Sequence, residues 1–181
     1  MSLIQYRLRR NFQKTAEPKP KSCKASQSRF VVQKHDASNL HYDFRLEIFD
    51  EEIGEVILKS WAVPKNIPLS KEVKHLAIQT EDHPVEYVDF EGRIPAGQYG
   101  AGTVEVWDEG KWGMIKGSFG EGKLSFNLFG EKIKGRYVMI LTKGFSDKKR
   151  KKQQHLIEDK KLKQKDDKKY WLIWRKGTEI L

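Results

Sequence analysis

The chain has 181 residues, and its 35 lysines and arginines outnumber 25 acidic residues to give a formal net charge of +10 at pH 7. This length suits one domain that buries roughly 70% of the surface exposed when unfolded, and the charge favours a polyanionic partner, nucleic acid or an anionic membrane face. The single cysteine, Cys23, excludes an intrachain disulfide, and no stretch reaches the roughly 20 apolar residues of a membrane span, so we expect a soluble cytoplasmic protein.

The first 28 residues read as an arm that precedes the domain. They are polar and basic, and Pro18 and Pro20 forbid a long helix there. We therefore expect residues 1–28 to be disordered or laid over the surface of a domain that spans residues 29–181.

From residue 29 onward the pattern predicts short strands. Aromatic and β-branched residues dominate eight runs that turn-forming residues separate. The predicted strands are 29–35, 41–49, 55–64, 74–81, 102–112, 122–130, 132–144 and 168–177. Many short strands without a convincing long helix predict an all-β barrel or sandwich. Residues 146–169 break the pattern with lysine blocks, which predict a solvated loop or a short helix.

Residues 35–45 bring the imidazoles of His35 and His41, the carboxylate of Asp43 and the guanidinium of Arg45 into one short stretch. His41, Asp43 and Arg45 share one strand parity and apolar residues the other, so a strand would put the chemistry on one face and pack the opposite face. A turn over residues 36–39 folds the strand that ends at His35 back alongside. We therefore expect His35 to meet His41 and Asp43.

These three side chains form a candidate metal site. Two imidazole nitrogens and a carboxylate suit Mn, Fe(II), Zn or Co better than they suit magnesium or calcium. A structural zinc site normally takes thiolates, which one cysteine cannot supply, so open positions for water or substrate are expected. The alternative interpretation is that His35 and His41 merely line a barrel.

A second cluster lies beyond the end of a predicted strand and contains His83. A loop there can aim His83 into a cavity, where it could act as an acid or bind phosphate; the alternative is an ordinary loop histidine.

Residues 90–102 hold four glycines but fit no nucleotide-binding fingerprint and lack a following helix, so tight turns are expected.

Ordered motifs run through most of the chain: QKHDASNLHYDFRLE at residues 33–47, KSWAVPK at 59–65, EDHP at 81–84, and IPAGQYGAG at 94–102 followed by VWD at 106–108. Together they resemble one family, the 3′-phosphoesterase domain of DNA ligase D, from about Tyr6 to Trp174. The chain looks like the free-standing form of that domain. The resemblance implies a small closed β-barrel whose N-terminal arm packs over the active site.

The resemblance also implies an activity. The family removes a terminal ribonucleoside from a 3′ end to leave a 3′-phosphate, and then hydrolyses that phosphate to a 3′-hydroxyl, in DNA repair by non-homologous end joining. Manganese is its usual metal, and Co²⁺ or Zn²⁺ would suit the same ligands. The implied partners are primer-template 3′ ends, together with a separate DNA ligase or other end-joining proteins, and no membrane.

Matching positions imply roles for particular residues. His35, His41 and Asp43 resemble the metal ligands, and Arg45 and His83 resemble the pair that holds the scissile phosphate. Supporting positions match Gln33, Lys59 and Tyr87, and the arm supplies Arg10 and Glu17.

Two positions depart from the family pattern. Asn11 stands where the family usually has an aspartate, and His75 where it usually has an arginine that contacts phosphate. Asn11 brings no negative charge, and His75 binds phosphate strongly only when protonated, so the departures bear most on the phosphatase step.

Two other functions compete with this interpretation. His41 and Asp43 with a later histidine, His83, and Arg93 imitate the ligand pattern of a non-haem Fe(II) oxygenase on a double-stranded β-helix, although His35 is then unused. A non-catalytic barrel could instead bind nucleic acid through its charge and through tryptophans such as Trp61, Trp107 and Trp112. We expect those tryptophans to fill the core.

Overall fold

The computed structural model describes residues 3–71, 73–142 and 169–177. The lysine-rich stretch predicted as a loop, residues 146–169, lies outside these ranges except for Lys169. The elements within them are the helix α1 (Leu3–Leu8), the strands β1 (Arg29–Asp36), β2 (His41–Asp50), β3 (Glu55–Val63), β4 (Lys74–Gln79) and β5 (His83–Pro84), a 3₁₀ helix (Val85–Asp89), and the strands β6 (Gly92–Ile94), β7 (Gly102–Ser118), β8 (Lys123–Gly130), β9 (Lys134–Leu141) and β10 (Tyr170–Gly177). Within these ranges, no helix has the length and apolar character that crossing a membrane requires.

The strands close into an antiparallel barrel. Neighbouring strands follow the order β1-β2-β3-β4-β10-β9-β8-β7, and β7 pairs back onto β1 to complete a ring of eight. Strand β5 pairs with β3, and β6 pairs with β7, outside that ring. The predicted small closed barrel is confirmed. The pattern did not predict β5 or β6, and β7 continues to Ser118 instead of ending at residue 112.

Large aromatic side chains fill the barrel interior. Phe44, Trp61, Phe126, Tyr137 and Trp171 are fully or almost fully buried in one cluster, and the rings of Phe44 and Phe126 stack with centroids 6.2 Å apart. Burying one such side chain contributes roughly 1.5–3 kcal/mol. The expectation that tryptophans fill the core is confirmed for Trp61. The other two are half-buried and pack against the same cluster: Trp107 and Trp112.

A second apolar layer lies outside the barrel, on the opposite face of β1 and β3. Val31 and Leu58 alternate with the interior residues of their strands, so they point outward. Tyr6 of α1 packs on them with no exposed surface, together with Tyr87 of the 3₁₀ helix. This outer cluster fixes the N-terminal arm against the barrel wall, beside the outward-facing polar residues of β1 and β2.

Candidate active site

The hairpin of β1 and β2 brings the three predicted ligands together. His35 pairs directly with His41 across the hairpin, and Asp43 follows two residues later on the same outward face. His35 Nδ1 lies 3.3 Å from Asp43 Oδ2, and His41 Nε2 lies 3.6 Å from Asp43 Oδ1. One ligand atom from each residue lies within 4.8 Å of the others, so this group could hold a metal ion.

Backbone carbonyls orient both imidazoles of this trio. His35 Nε2 donates to the Gly100 carbonyl at 2.9 Å, and His41 Nδ1 donates to the Asn39 carbonyl at 2.9 Å. The remaining nitrogens, Nδ1 of His35 and Nε2 of His41, therefore keep their lone pairs and face Asp43. Ligating histidines in proteins commonly use the second nitrogen in this way. The donor set fits a divalent transition metal.

The Asp43 carboxylate is ionised although it is buried. Burial alone would raise its pKa, but the charge of Arg45, the largest of the opposing effects, helps to outweigh burial and lower the pKa to about 2. Arg45 Nη2 donates to Asp43 Oδ2 at 3.0 Å. The carboxylate is thus held in the form that binds a cation.

Arg45 is fixed on three sides and keeps one free donor. Its Nε donates to Gln33 Oε1 at 2.8 Å, and its guanidinium lies 4.7 Å from the centre of the Tyr87 ring. Gln33 is itself held by the carbonyls of Tyr87 and Phe90, at 3.0 and 2.8 Å. Nη1 of Arg45 is buried and has no hydrogen-bond partner within the described part of the chain. That donor is available to an oxygen of a bound anion.

His83 lies on β5 and is also buried at the site. Its Nδ1 donates to the Glu81 carbonyl at 2.9 Å, and Nη2 of Arg10 lies 3.3 Å from its Nε2. Burial and then the charges of Arg45 and Arg10 hold the pKa of His83 well below its usual value. His83 is therefore neutral at neutral pH, and its Nε2 accepts a hydrogen bond.

The arm contributes two charged residues to this site. Arg10 donates to Glu17 at 3.1 Å and to Glu81 at 2.5 Å, and its guanidinium lies 4.0 Å from the centre of the Tyr6 ring. Glu17 also accepts a hydrogen bond from the Tyr87 hydroxyl at 3.1 Å. These buried contacts attach the arm to the segment just before β5 and to the 3₁₀ helix.

A cavity of about 450 Å³ joins these groups. The predicted site residues that line it are Arg10, Glu17, His35, His41, Asp43, Arg45, His83 and Tyr87. Gln33 lies behind Arg45 as a buried support.

Besides Gln33, two other predicted site residues do not line the cavity. Lys59 shares the interior face of β3 with Trp61 and donates to Asp82 at 3.0 Å. His75 pairs with Ile173, a core residue, and its Nδ1 lies 2.6 Å from the Asn66 carbonyl. The supporting role of Lys59 and the phosphate contact of His75 stay predictions.

Sequence reasoning named no role for three contributors to the cavity. Glu81 was visible only as one acid in an acidic stretch, yet it is 2% exposed and pairs with Arg9 and Arg10. Tyr99 accepts a hydrogen bond from Arg9 at 2.9 Å. The Gly100 carbonyl orients His35, and no side-chain pattern signals a backbone acceptor. The expected turns in this glycine-rich segment are present at Pro95–Gly100.

The fold and the site together define a small antiparallel β-barrel protein with a candidate divalent-metal centre on its outer wall and, beside it, a buried arginine that has a free donor. A family model described as the DNA ligase D 3′-phosphoesterase domain matches residues 33–141. The chain belongs to this family, as the sequence motifs predicted.

Curated relatives agree with this assignment. The chain is 50% identical over 146 residues to the multifunctional non-homologous end joining protein LigD of Pseudomonas aeruginosa, a match that covers 77% of this chain and 17% of the relative. It is 47% identical over 148 residues to the LigD of Mycobacterium bovis, covering 78% and 18%. It is 42% identical over 153 residues to that of Mycolicibacterium smegmatis, covering 78% and 19%. The matched region thus spans less than a fifth of the length of these relatives.

Proposed function

We propose that this protein is a metal-dependent phosphoesterase that processes 3′ ends of nucleic acid in DNA end joining. Its phosphodiesterase step removes a 3′-terminal ribonucleoside and leaves a 3′-phosphate, and its phosphomonoesterase step converts that phosphate to a 3′-hydroxyl. The observation that carries the proposal is the juxtaposition of the His35, His41 and Asp43 ligand atoms, within 4.8 Å, with a buried unpaired donor of Arg45. Family membership and the names of the relatives support the same function.

His35, His41 and Asp43 would hold the metal, for which we propose Mn²⁺, with Co²⁺ or Zn²⁺ as ions that suit the same donors. When bound, the cation supplies Lewis-acid stabilisation of the negative charge that develops on the phosphoryl oxygens. Glu17 and Glu81 stay paired with Arg10 and so do not repel the substrate as free carboxylates.

Arg45 binds the phosphate in this proposal. Two of its nitrogens are engaged by Gln33 and Asp43, which fixes the plane of the guanidinium and leaves Nη1 without a described partner in a residue that lines the cavity. A preorganised donor of this kind stabilises charge in the transition state without having to reorganise. Gln33 and Tyr87 act as positioning residues for Arg45.

His83 and Arg10 form the other side of the phosphate site. The Nδ1 proton of His83 is engaged by the Glu81 carbonyl, and Nε2 carries a lone pair, so before substrate binds His83 has no proton at Nε2 to give to a leaving oxygen. The geometry therefore favours phosphate binding shared by Arg10 and His83 over general-acid catalysis by the resting enzyme. An anionic phosphate would raise the pKa of His83 and let Nε2 become a donor.

The phosphatase step is the more sensitive part of the proposal. Asn11 is exposed, and its Oδ1 accepts a hydrogen bond from the Gln13 backbone at 3.1 Å. His75 lies away from the cavity. We propose that the phosphodiesterase step is retained and that the phosphomonoesterase step is the slower of the two.

The oxygenase alternative receives less support from the geometry. It requires His41, Asp43 and His83 as ligands, whereas the group of ligand atoms found among the described residues consists of His35, His41 and Asp43. His83 is engaged on both ring nitrogens by other partners.

A ribonucleotide-terminated DNA primer tests the function directly. Incubation with Mn²⁺ should shorten the primer by one nucleoside, and a chelator should prevent this. His41→Ala should abolish cleavage and weaken Mn²⁺ binding. Binding is measured by electron paramagnetic resonance, in which bound Mn²⁺ no longer contributes to the free-ion signal, so the variant should leave more of that signal. Asp36→Ala, an exposed carboxylate at the same end of the hairpin, is the matched control and should do neither. A His41→Ala protein that binds Mn²⁺ and cleaves normally would refute the proposal.

A further inference from the structure

A second concave surface lies on the barrel wall opposite the cavity that His35, His41 and Asp43 line, which we call the metal cavity. In the ring of eight strands, β9 is four places from β2 in either direction, so the two strands lie on opposite walls. A groove of about 390 Å³ crosses the outer face of β7 to β10. We call it the basic groove, and its polar and aromatic lining includes Lys116, Lys123, Arg136, Trp174 and Lys176.

Strand pairing places cations at both ends of this surface. One cross-strand row runs from Lys116 through Ser125, Val138 and Trp174 to Lys74. Five strands at a spacing of about 4.8 Å make this row roughly 19 Å long. Lys74 and Lys116 are exposed, so each ammonium can contact a ligand that lies along the row.

The neighbouring rows have the same sign of charge. The outward positions on the described parts of β4, the end of β7, β8, β9 and β10 carry six cations and no acid: Lys74, Lys116, Lys123, Lys134, Arg136 and Lys176. Glu121, in the turn before β8, is the acid that lines the groove. Arg136 is held in place by its hydrogen bond to Ser125 Oγ at 2.9 Å. The groove is therefore complementary to a polyanion.

An aromatic ring lies among these cations. Trp174 is half-buried in the groove next to Val138, and Lys74 Nζ lies 5.0 Å from the centre of its ring. Surfaces that bind single-stranded nucleic acid combine cations for the phosphates with aromatic rings on which bases stack. A polyanion without aromatic rings would not stack on the indole of Trp174, so the ring favours nucleic acid over such a ligand.

We propose that the basic groove binds single-stranded nucleic acid, with phosphates on the lysines and Arg136 and a base stacked on Trp174. The groove shares no residue with the metal cavity, so binding there does not depend on the proposed function. The protein would then have two separate contact surfaces for nucleic acid.

A circularised oligo(dT) is the probe that isolates the groove, because it has no 3′ end to enter the metal cavity. Binding is measured by fluorescence anisotropy in the presence of chelator. Lys123→Glu combined with Lys176→Glu should weaken binding at least tenfold. The slope of log K against log salt should become shallower by about 0.7 for each phosphate that the variant no longer neutralises.

The matched control reverses two exposed lysines of the arm, Lys21→Glu with Lys24→Glu, which changes the net charge by the same amount. These residues flank Cys23, whose carbonyl accepts from Val56 on β3, in the half of the ring that contains β2. Binding should stay within about twofold of the wild type. An equal loss in both double variants would reduce the effect to net charge and overturn the proposal.

Trp174 supplies a second readout. Trp174→Leu should weaken binding of the circle about tenfold, and Trp174→Phe, which keeps an aromatic face, should restore most of the affinity. Anionic phosphatidylserine vesicles and polyglutamate are run in parallel. If Trp174→Leu binds the circle as the wild type does, or if vesicles or polyglutamate bind the groove more tightly than the circle, the assignment to nucleic acid is wrong.

Discussion

Replacing Arg45 with lysine separates the charge of the guanidinium from its geometry. A lysine ammonium can keep the contact with Asp43, so the buried carboxylate stays compensated. It cannot also bond Gln33, whose Oε1 then lies buried without the 2.8 Å hydrogen bond that it now accepts. An unsatisfied buried acceptor costs about 1–3 kcal/mol, which is the expected loss in the free energy of unfolding. Arg45→Met also removes the charge and should cost more, about 3–5 kcal/mol, because Asp43 is left without its cation.

The effect of Arg45→Lys on activity should exceed its effect on stability. The variant lacks the free Nη1 donor and the fixed plane that directs it, and removal of one preorganised donor costs about 3 kcal/mol in the transition state, on the order of 100-fold in rate. Stability is measured by urea unfolding with tryptophan fluorescence, and kcat/KM by primer cleavage in Mn²⁺. Activity within threefold of the wild type would show that charge alone suffices and that our geometric argument is mistaken. Equal stability of the lysine and methionine variants would contradict the assigned compensation of Asp43.

Two further predictions concern the barrel itself. Burial raises the pKa of Tyr137 to about 12, so its neutral form stabilises the fold fully below pH 10 and this contribution is lost as the pH rises towards 12. Tyr137→Phe should lower the free energy of unfolding by about 1 kcal/mol at pH 7, because the hydrogen bond to the Pro68 carbonyl is removed. Between pH 9 and 11 the variant should lose less stability than the wild type, as measured by urea unfolding at each pH. Equal losses in the two proteins would contradict this assignment. The Asp108 carboxylate accepts hydrogen bonds from the three backbone N–H groups of residues 131–133. Asp108→Ala should therefore lower the free energy of unfolding by about 3 kcal/mol, and Asp108→Asn by less. Equal losses in the two variants would exclude these hydrogen bonds as the cause.

The grouping of His35, His41 and Asp43, the candidate metal ligands, could be predicted because the β1–β2 hairpin obeys strand periodicity. Asp43 and Arg45 alternate with Phe44, and a short turn fixes the register that sets His35 against His41. Local pattern and tertiary contact agree here, so the sequence contains enough information to place the candidate ligands on one face.

Other parts of the site depend on contacts that no local pattern encodes. The arm is polar on average, which conceals that Tyr6 has no exposed surface. Strands β5 and β6 have two and three residues, too few for periodicity to register. Strand alternation puts Lys59 on the interior face together with Trp61, whereas the motif resemblance assigns Lys59 to the site without regard to the face on which it lies. The segment predicted as a lysine-rich loop lies almost wholly outside the described residues, and its conformation stays a prediction.

The N-terminal arm covers part of the cavity but is not one of the eight strands that close the barrel. Arg10 and Glu17 reach the cavity from outside the ring of strands and are fastened by Glu81 and the Tyr87 hydroxyl. We therefore expect docking of the arm at the candidate site and folding of the barrel to be two separate equilibria in one polypeptide. A protease cut in the exposed stretch at residues 24–28 would leave the barrel intact and separate it from the arm. The dissociation constant of the cleaved arm from the barrel could then be measured.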